Sequence, residues 1–351
     1  MIPNFATVLD SLNMWEATWA FPDLVSQTAS AAASWVTEAK LPPKERIEHI
    51  VVLGMGGSGV VGDVLVAAAS PYLSVPVLVV KSYEVPAFVS ESSLVFAVSF
   101  SGNTEETVEA ATEAQGAGAK LVVVSGPGEL QAFAHRAELP CFELESNIPQ
   151  PRAALGAMAV PPLFALEAMG LFPGASSWVD EAVTQLRARR EECFSPSGIA
   201  ADIANRIGSS IPLIESSRNL GAAAALRWKT QINENAKRAA FSSVYPELCH
   251  NEVVGWKGHP RESASAFTLV NLRHDTEHPQ VARRMELVGQ LAGDGVGAIL
   301  EVHAEGEGEL SQLLDLIMIG DAVSLFLAAN DGIDPGPVTV LDELKVRLRR
   351  G

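Results

Sequence analysis

Cysteine and positive charge are both scarce in this sequence. Its three cysteines, Cys141, Cys193 and Cys249, have no paired spacing, so neither a disulfide framework nor a zinc site is expected and a reducing cytoplasm fits. Lys and Arg number 25 against 42 Asp and Glu, a net charge of −17. This balance argues against nucleic acid as a partner, because phosphate backbones require clustered cations. An anionic small molecule stays open, since one pocket can be positive on an acidic protein.

The sequence also lacks the pattern of a signal peptide or a membrane span. Residues 1–21 contain no Lys or Arg and no small-residue cleavage site after an apolar core, so they predict a packing helix that carries Trp15 and Trp19. The most apolar stretch, 153–172, is interrupted by two prolines and by Glu167. It predicts a buried helix with a break rather than a membrane segment.

Short valine-rich runs alternate with helical stretches along most of the chain. The first half predicts strands at 50–53, 77–80, 94–99 and 121–125, with helices at 60–69, 105–115 and 130–137. The second half predicts strands at 211–214, 266–271 and 296–302, with helices at 222–234, 278–292, 310–329 and 338–349. This alternation indicates βαβ units with parallel strands and right-handed crossovers. The scarcity of aromatic residues, 6%, suits helices packed on a parallel sheet.

The chain is therefore predicted to be an α/β protein of two modules, each a mainly parallel sheet flanked by helices. Its length suits such a division. An N-terminal helix and the first module are placed at residues 1–172. A connecting segment of less regular structure, with a charged helix-like run at 181–192, is placed at 173–196. The second module, with the C-terminal helices, is placed at 197–351.

Two glycine-containing loops follow strands in the first module. The earlier, GMGGSG at 54–59, matches the dinucleotide fingerprint G-x-G-x-x-G. A dinucleotide site also requires an acidic residue about 20 positions later to bind the ribose, whereas here the next strand is followed by Lys81, with Glu84 further on. A dinucleotide cofactor is therefore not favoured for this loop.

The later loop, SFSGNTEE at 99–106, also begins a helix. The hydroxyls of Ser99, Ser101 and Thr104, with the backbone of Gly102 and Asn103, can surround a phosphate at the positive end of that helix. The alternative is a helix cap, in which a hydroxyl and a nearby glutamate form a capping box. Three hydroxyls around Gly-Asn, at the carboxyl end of a buried strand, favour the ligand.

The pair of loops resembles the SIS (sugar isomerase) domain, which binds phosphosugars, and the resemblance implies that Gly57 and Ser58 of the first loop also bind the phosphate. The stretch SYEVP at 82–86 resembles the corresponding segment of the bifunctional phosphoglucose/phosphomannose isomerases, and the resemblance extends over about residues 50–345. It implies a homodimer of two-module SIS subunits that interconverts glucose 6-phosphate and fructose 6-phosphate through a cis-enediol, with mannose 6-phosphate as a further substrate. Such chemistry needs a base, a ring opener and a partner for the enediolate, but neither metal nor organic cofactor.

The resemblance also assigns the catalytic residues. NENAK at 233–237 is similar to the motif that carries the base, which puts that role on Glu234. His250 matches a histidine that opens the sugar ring from the neighbouring subunit, and Arg152 matches the arginine that stabilises the enediolate. Lys345 is a candidate second cation. The residues alone leave an alternative for each. Glu234 could belong to a solvated helix end and His250 could be structural. Arg152 could form a structural ion pair and Lys345 could be a solvated lysine.

Two features depart from this assignment. His274 and His278 have the i, i+4 spacing of metal ligands, but no glutamate follows the first and Pro279 follows the second, so a polar loop without metal is predicted. Gly336 stands where the resembled family often carries a threonine associated with the mannose epimer. Weaker activity on mannose 6-phosphate is therefore expected, unless Thr339 compensates.

Two other functions compete with an isomerase. A phosphosugar-binding regulator or pathway partner would keep the scaffold without turnover, but it would have no use for Glu234, His250 and Arg152 together. A glutamine-dependent glucosamine phosphate synthase is expected to carry an amide-hydrolysing module with an N-terminal cysteine, whereas this chain begins Met1-Ile2.

Overall fold

The computed structural model describes residues 9–348, which form two parallel sheets covered by helices. The first, five-stranded sheet has the order β2-β1-β3-β4-β5, and the second, four-stranded sheet has the order β7-β6-β8-β9. Their strands are β1 (His49–Leu53), β2 (Val77–Val80), β3 (Ser93–Ser99), β4 (Lys120–Ser125), β5 (Cys141–Glu143), β6 (Ile211–Ser216), β7 (Phe241–Val244), β8 (Phe267–Arg273) and β9 (Ala298–His303). All neighbouring strands pair in parallel. The predicted fold class, two parallel α/β modules, is confirmed.

Helices on both faces of the sheets supply the rest of the described structure. They are α1 (Met14–Trp19), α2 (Phe21–Glu38), α3 (Gly56–Val64), α4 (Glu105–Gly116), α5 (Glu129–Arg136), α6 (Leu155–Ala168), α7 (Ala175–Cys193), α8 (Ile199–Ile207), α9 (Leu220–Asn235), α10 (Glu252–Gly258), α11 (Pro260–Ala266), α12 (Pro279–Ala292), α13 (Gly308–Asn330) and α14 (Thr339–Leu348). Trp15 and Trp19 are buried on α1, as predicted. The apolar stretch at 153–172 contains the buried helix α6, as predicted, but the helix continues through both prolines without the expected break.

The order of the first sheet places the two predicted phosphate loops side by side. From β1 the chain moves to β2 on one side and then to β3 on the other, so the strand order reverses between β1 and β3. Ligands of open α/β sheets bind at such a switch point, beyond the carboxyl ends of the strands. Every residue of β3 is buried, because helices cover both faces of the sheet.

Helix α13 forms the centre of the second half. It packs against α9, α7 and α8, and its apolar residues face all directions, as expected of a helix surrounded by protein. Among the described residues α13 is the one helix that is long and apolar enough to cross a membrane, yet 89% of its most apolar window is buried inside the protein. A packed core accounts for its composition.

The predicted connecting segment, 173–196, is mostly regular helix. Helix α7 fills it and packs against α13 and α2, and its Arg190 guanidinium lies 3.7 Å from the centroid of the Trp19 ring. Helix α7 has a charged exposed face and a buried apolar face that includes Val179 and Leu186. The helix-like run predicted at 181–192 is thus part of a longer regular helix than expected, while the division of the chain into modules at these boundaries stays a prediction.

Candidate active site

Ser58 joins the two phosphate loops. Its Oγ accepts a hydrogen bond from the backbone N–H of Phe100 at 3.1 Å and lies 3.3 Å from the Met158 sulfur. The side chain is only 5% exposed. Ser58 therefore braces the loop after β1 against the loop after β3, and its predicted contact with phosphate stays a prediction.

Gly57 and Gly102 allow backbone segments to approach one another closely. A Cβ at Gly57 would lie 3.2 Å from the Pro151 carbonyl oxygen, next to Arg152. Gly102 has a φ of +67°, and a Cβ there would lie 2.5 Å from the carbonyl oxygen of Gly126. A side chain is excluded at Gly102 and would be crowded at Gly57, so the first phosphate loop can lie directly against the segment that carries Arg152.

The loop after β3 gathers three hydroxyls at the start of α4. Thr104 occupies the N-cap position, but its side chain makes no capping hydrogen bond. Its Oγ1 lies 2.9 Å from Ser99 Oγ and 3.5 Å from Ser101 Oγ. The cap alternative is therefore wrong for Thr104. The uncapped N–H groups at this helix start suit an anion.

Asn103 has a bracing role in the same loop. Its side-chain amide donates to the Ser101 carbonyl at 2.9 Å, and its Oδ1 accepts from the Glu129 N–H at 3.1 Å. The Gly102 carbonyl accepts from the Leu130 N–H at 2.8 Å. These bonds fix the loop to the beginning of α5. The Asn103 backbone N–H donates to Ser101 Oγ at 3.2 Å, and the predicted contact of Asn103 with phosphate stays a prediction.

Arg152 and Glu234 meet although they are 82 positions apart. Arg152 lies in a single helical turn before α6 and is buried, whereas Glu234 lies in the last turn of α9 and is partly exposed. The Arg152 Nη1 atom lies 3.3 Å from Glu234 Oε2. The structure thus brings the predicted base and the predicted enediolate partner together.

Neutral acceptors hold the rest of the Arg152 guanidinium. Nε donates to Asn235 Oδ1 at 2.6 Å, and Nη2 donates to the carbonyl oxygens of Pro335 and Gly336 at 2.6 and 2.8 Å. Of the five N–H donors of an arginine, these contacts and the one to Glu234 use four within the described chain. The remaining donor is on Nη1, beside the carboxylate.

Lys237 is a second cation of this site that sequence reasoning missed. It follows α9 with a φ of +56°, and its ammonium donates to the carbonyls of Glu234 and, at 3.1 Å, Pro335. Burial lowers the pKa of Lys237, and the nearby charge of Arg152 lowers it further. Burial also lowers the pKa of Arg152, an effect that the Glu234 carboxylate partly offsets. The lysine of NENAK was visible in the sequence, but its approach to Pro335 was not.

His250 and Lys345 lie apart from the arginine–glutamate pair. His250 ends the turn Glu247–His250 after β7, and its side chain is exposed. Lys345 is exposed on α14. Within residues 9–348, neither side chain makes a hydrogen bond or ion pair with Arg152 or Glu234. Their predicted catalytic roles stay predictions.

Leu12 occupies the space beside Gly336. A Cβ at Gly336 would lie 2.8 Å from both Cβ and Cγ of Leu12. The Gly336 N–H donates to the Asp334 carboxylate at 2.9 Å, while its carbonyl holds Arg152. A threonine side chain would therefore meet leucine here before it could reach a substrate.

The two predicted loop histidines have structural partners. His274 is buried, with Nε2 2.5 Å from Ser217 Oγ and Nδ1 2.9 Å from Thr276 Oγ1, and burial lowers its pKa to about 4. His278 caps α12 by accepting from the Gln280 N–H at 3.1 Å. In the part of the chain that the structure describes, no group of three or more His, Cys, Asp or Glu is placed to hold a metal ion.

The loop GMGGSG does not have the surroundings of a dinucleotide site. Lys81, directly after β2, forms an ion pair with Asp63 of α3 at 2.6 Å. Its Cε atom would lie 3.0 Å from a Cβ at Gly59. A lysine thus occupies the region where a dinucleotide enzyme presents the acidic residue that binds the ribose.

Solved structures share the fold of this chain. A hypothetical protein of Thermus thermophilus superposes with a TM-score of 0.71 at 17% identity, over 95% of this chain and 91% of that one. At such low identity the likeness shows the fold alone.

Curated relatives and family models give a more specific result. Residues 197–348 match the bacterial phospho-glucose isomerase C-terminal SIS domain, and residues 45–134 match the SIS domain. The chain is 33% identical to the bifunctional phosphoglucose/phosphomannose isomerase of Caldicellulosiruptor bescii, over 95% of this chain and 98% of that protein. It is 35% identical to the protein of the same name from Aquifex aeolicus, over 86% and 90%. The chain therefore belongs to the bifunctional phosphoglucose/phosphomannose isomerase family.

Proposed function

We propose that this protein is a sugar-phosphate isomerase that interconverts glucose 6-phosphate and fructose 6-phosphate. The observation that carries the proposal is the contact between Arg152 Nη1 and Glu234 Oε2 at 3.3 Å, next to two loops suited to phosphate. A carboxylate beside a buried guanidinium combines a proton acceptor with a donor for a developing oxyanion. A protein that only binds phosphosugars has no need of this pair.

The proposed mechanism divides the work among four groups of residues. The hydroxyls at the start of α4 and the helix N-terminus hold the phosphate, which fixes the distance of C1 and C2 from Glu234. His250 assists ring opening by proton transfer. Glu234 then takes the C2 proton and returns it to C1, while the free Nη1 donor of Arg152 stabilises the enediolate oxygen. The steps require proton transfers only.

We further propose a cytoplasmic homodimer in which His250 serves the active site of the partner subunit. The exposed position of His250, without a contact to Glu234 in the described chain, suits this arrangement. Mannose 6-phosphate is proposed as a poorer substrate, because Leu12 fills the space beside Gly336.

The test of this function is a coupled assay with glucose, mannose and fructose 6-phosphates, without added metal. Glu234→Gln should lower kcat on the order of a hundredfold or more, since the amide cannot accept a proton, while inorganic phosphate still binds. Glu38→Gln, an exposed change at the end of α2, is the control and should keep full activity. Near-normal turnover by Glu234→Gln would assign the base to another residue, and no turnover by the unmodified protein would refute the isomerase.

A further inference from the structure

The guanidinium of Arg152 is oriented almost entirely by uncharged acceptors. Three of its four hydrogen bonds within the described chain go to an amide oxygen, that of Asn235, and to two backbone carbonyls. Glu234 supplies the one carboxylate in contact with it among the described residues. Uncharged acceptors fix the direction of a cation without neutralising it, so the charge of Arg152 is kept for the side that faces Glu234.

Asn235 is itself held in one orientation. The residue is fully buried, and its Nδ2 donates to Ser324 Oγ at 2.9 Å, while that hydroxyl donates to the Asp321 carbonyl at 2.6 Å. Because arginine can only donate, the amide oxygen must face Arg152 and the amide nitrogen must face Ser324. Rotation of the amide would leave buried polar atoms unpaired, which is costly.

A second arginine, Arg227, forms an ion pair with Asp321, a buried carboxylate near Arg152. Asp321 of α13 accepts from Arg227 at both oxygens, at 2.9 Å from Nε and 2.7 Å from Nη2. The same Arg227 donates to the backbone carbonyl of Arg152. Asp321 is thus charge-balanced by Arg227, and Arg227 also fixes the backbone from which the Arg152 side chain extends.

We propose that Asn235 is a positioning residue of the isomerisation, which sets the rotation of the Arg152 guanidinium so that Nη1 faces Glu234 and the substrate. The inference rests on the proposed function, in which Arg152 stabilises the enediolate. Asparagine suits this role better than aspartate, because a carboxylate at position 235 would compete for the charge of Arg152. Alanine would leave Nε without its acceptor and free the guanidinium to turn.

The test compares kcat, KM and the pH profile of Asn235→Ala and Asn235→Asp, with inorganic phosphate binding measured by calorimetry. Asn235→Ala should lower kcat on the order of ten- to a hundredfold, because a misplaced catalytic group costs that much, while KM and phosphate affinity change less than about threefold. Asn235→Asp should also lower kcat and move the acidic limb of the profile to higher pH, since neighbouring carboxylates hold a proton more tightly. Arg227, Lys237 and Asp321 are charged groups near Arg152 and Glu234, and they are unchanged in both variants.

A matched control lies on the same helix. Asn233 donates to the Arg238 carbonyl at 2.8 Å and does not contact Arg152. Asn233→Ala removes a comparable hydrogen bond, so it should lower Tm but keep kcat within about twofold. Loss of turnover in Asn233→Ala equal to that in Asn235→Ala would reduce the role of Asn235 to general support of the helix end and would overturn the proposal.

Arg152→Lys separates this inference from the proposed function. Lysine has a CH2 group where arginine has the Nε–H that Asn235 binds. Adding Asn235→Ala to Arg152→Lys should therefore cost no further activity. Full turnover by Arg152→Lys alone would contradict the proposed role of Arg152 itself. If Arg152→Lys is impaired but both Asn235 variants turn over normally, only the positioning role is wrong. Full activity of Asn235→Asp together with loss of activity in Asn235→Ala would show that an uncharged acceptor is not required at position 235. If Asn235→Ala fails to fold, Asn235→Asp alone tests the proposal, because aspartate has the same shape as asparagine.

Discussion

At the scale of single residues, Thr104 distinguishes ligand binding from helix capping. Its hydroxyl contacts Ser99 and makes no capping bond to α4. Thr104→Val should weaken inorganic phosphate and sugar phosphate alike by about 1.5–3 kcal/mol, the usual worth of a hydrogen bond to a charged group. Calorimetry measures the affinity, and Thr112→Val, which removes an exposed hydroxyl of the same helix, is the control. Unchanged affinity together with a lower Tm would restore the cap interpretation.

Gly336 is the residue on which the choice between epimers is expected to depend. Glucose 6-phosphate should exceed mannose 6-phosphate by at least about tenfold in kcat/KM, a difference that needs only about 1.4 kcal/mol. Because Leu12 fills the adjacent space, Gly336→Thr alone should lower Tm and shift Arg152. The difference in kcat/KM between glucose and mannose 6-phosphates should decrease only when Leu12→Ala is added to Gly336→Thr.

Steady-state kinetics on both epimers, with Tm for each variant, checks this expectation. Gly116→Ala is the control, because a Cβ at Gly116 meets no atom within 4 Å. Equal kcat/KM for the two epimers in the unmodified protein would show that position 336 does not govern the choice.

Sequence reasoning reached the site residues but could not provide their surroundings. It named Arg152 and Glu234 through a resemblance, and the structure brings them together. It named Lys345 as a candidate second cation, a role that stays a prediction. It missed Lys237 beside Arg152, because the position of that lysine depends on a tertiary contact with Pro335. The contact of Leu12 with Gly336 is likewise tertiary, so it cannot be predicted from a local sequence pattern.

At the scale of elements, the central strands were predictable, and so were the edge strands β2 and β9, whereas the edge strands β5 and β7 were not. Strand β3, apolar and buried throughout, has a clear pattern, whereas β5 and β7 are short, partly polar and lie at the edges of their sheets. Such strands form because a paired neighbour completes their hydrogen bonds, and their own residues carry little signal. Helix α7 was predicted only in part, because its first turns were not distinguished from the irregular residues before them.

Strand β6 carries a buried carboxyl that should make stability depend on pH. Burial raises the pKa of Glu215 to about 8, although the neighbouring Tyr245 hydroxyl lowers it. The folded protein therefore keeps a proton that the unfolded chain releases near pH ~4.3, so the free energy of unfolding should fall as pH rises from about 5 to about 8, by a few kcal/mol. Burial also raises the pKa of Asp315 to about 7, which adds a slope of the same sign.

Chemical denaturation across this pH range checks the expectation. Glu215→Gln should flatten the dependence without abolishing it, because Asp315 still contributes. Glu286→Gln on the exposed face of α12 should leave the slope as it is. A slope of the opposite sign in the unmodified protein, or one that Glu215→Gln does not change, would contradict the assignment.

At the scale of the whole molecule, the proposed dimer can be tested by mixing inactive subunits. If His250 serves the partner's site, a mixed dimer of Glu234→Gln and His250→Ala subunits contains one site with both groups intact. Random exchange at equal concentrations should then restore about a quarter of full activity, because half of the dimers are mixed and each has one working site. Turnover is measured before and after exchange. No recovery despite demonstrated exchange would place both residues in the site of one subunit.

The two ends of the described chain meet beneath this site. The Ser11 N–H donates to the Asp334 carboxylate at 3.3 Å, Leu12 packs against Gly336, and the carbonyls of Pro335 and Gly336 orient Arg152. Two of the acceptors that hold Arg152 thus lie 183 and 184 positions away from it along the chain, so the guanidinium is fully oriented only when residues 335 and 336 have packed against Leu12. Fraying of either segment would therefore release Arg152 before the sheets unfold, so turnover is expected to be lost in milder denaturant than the secondary structure.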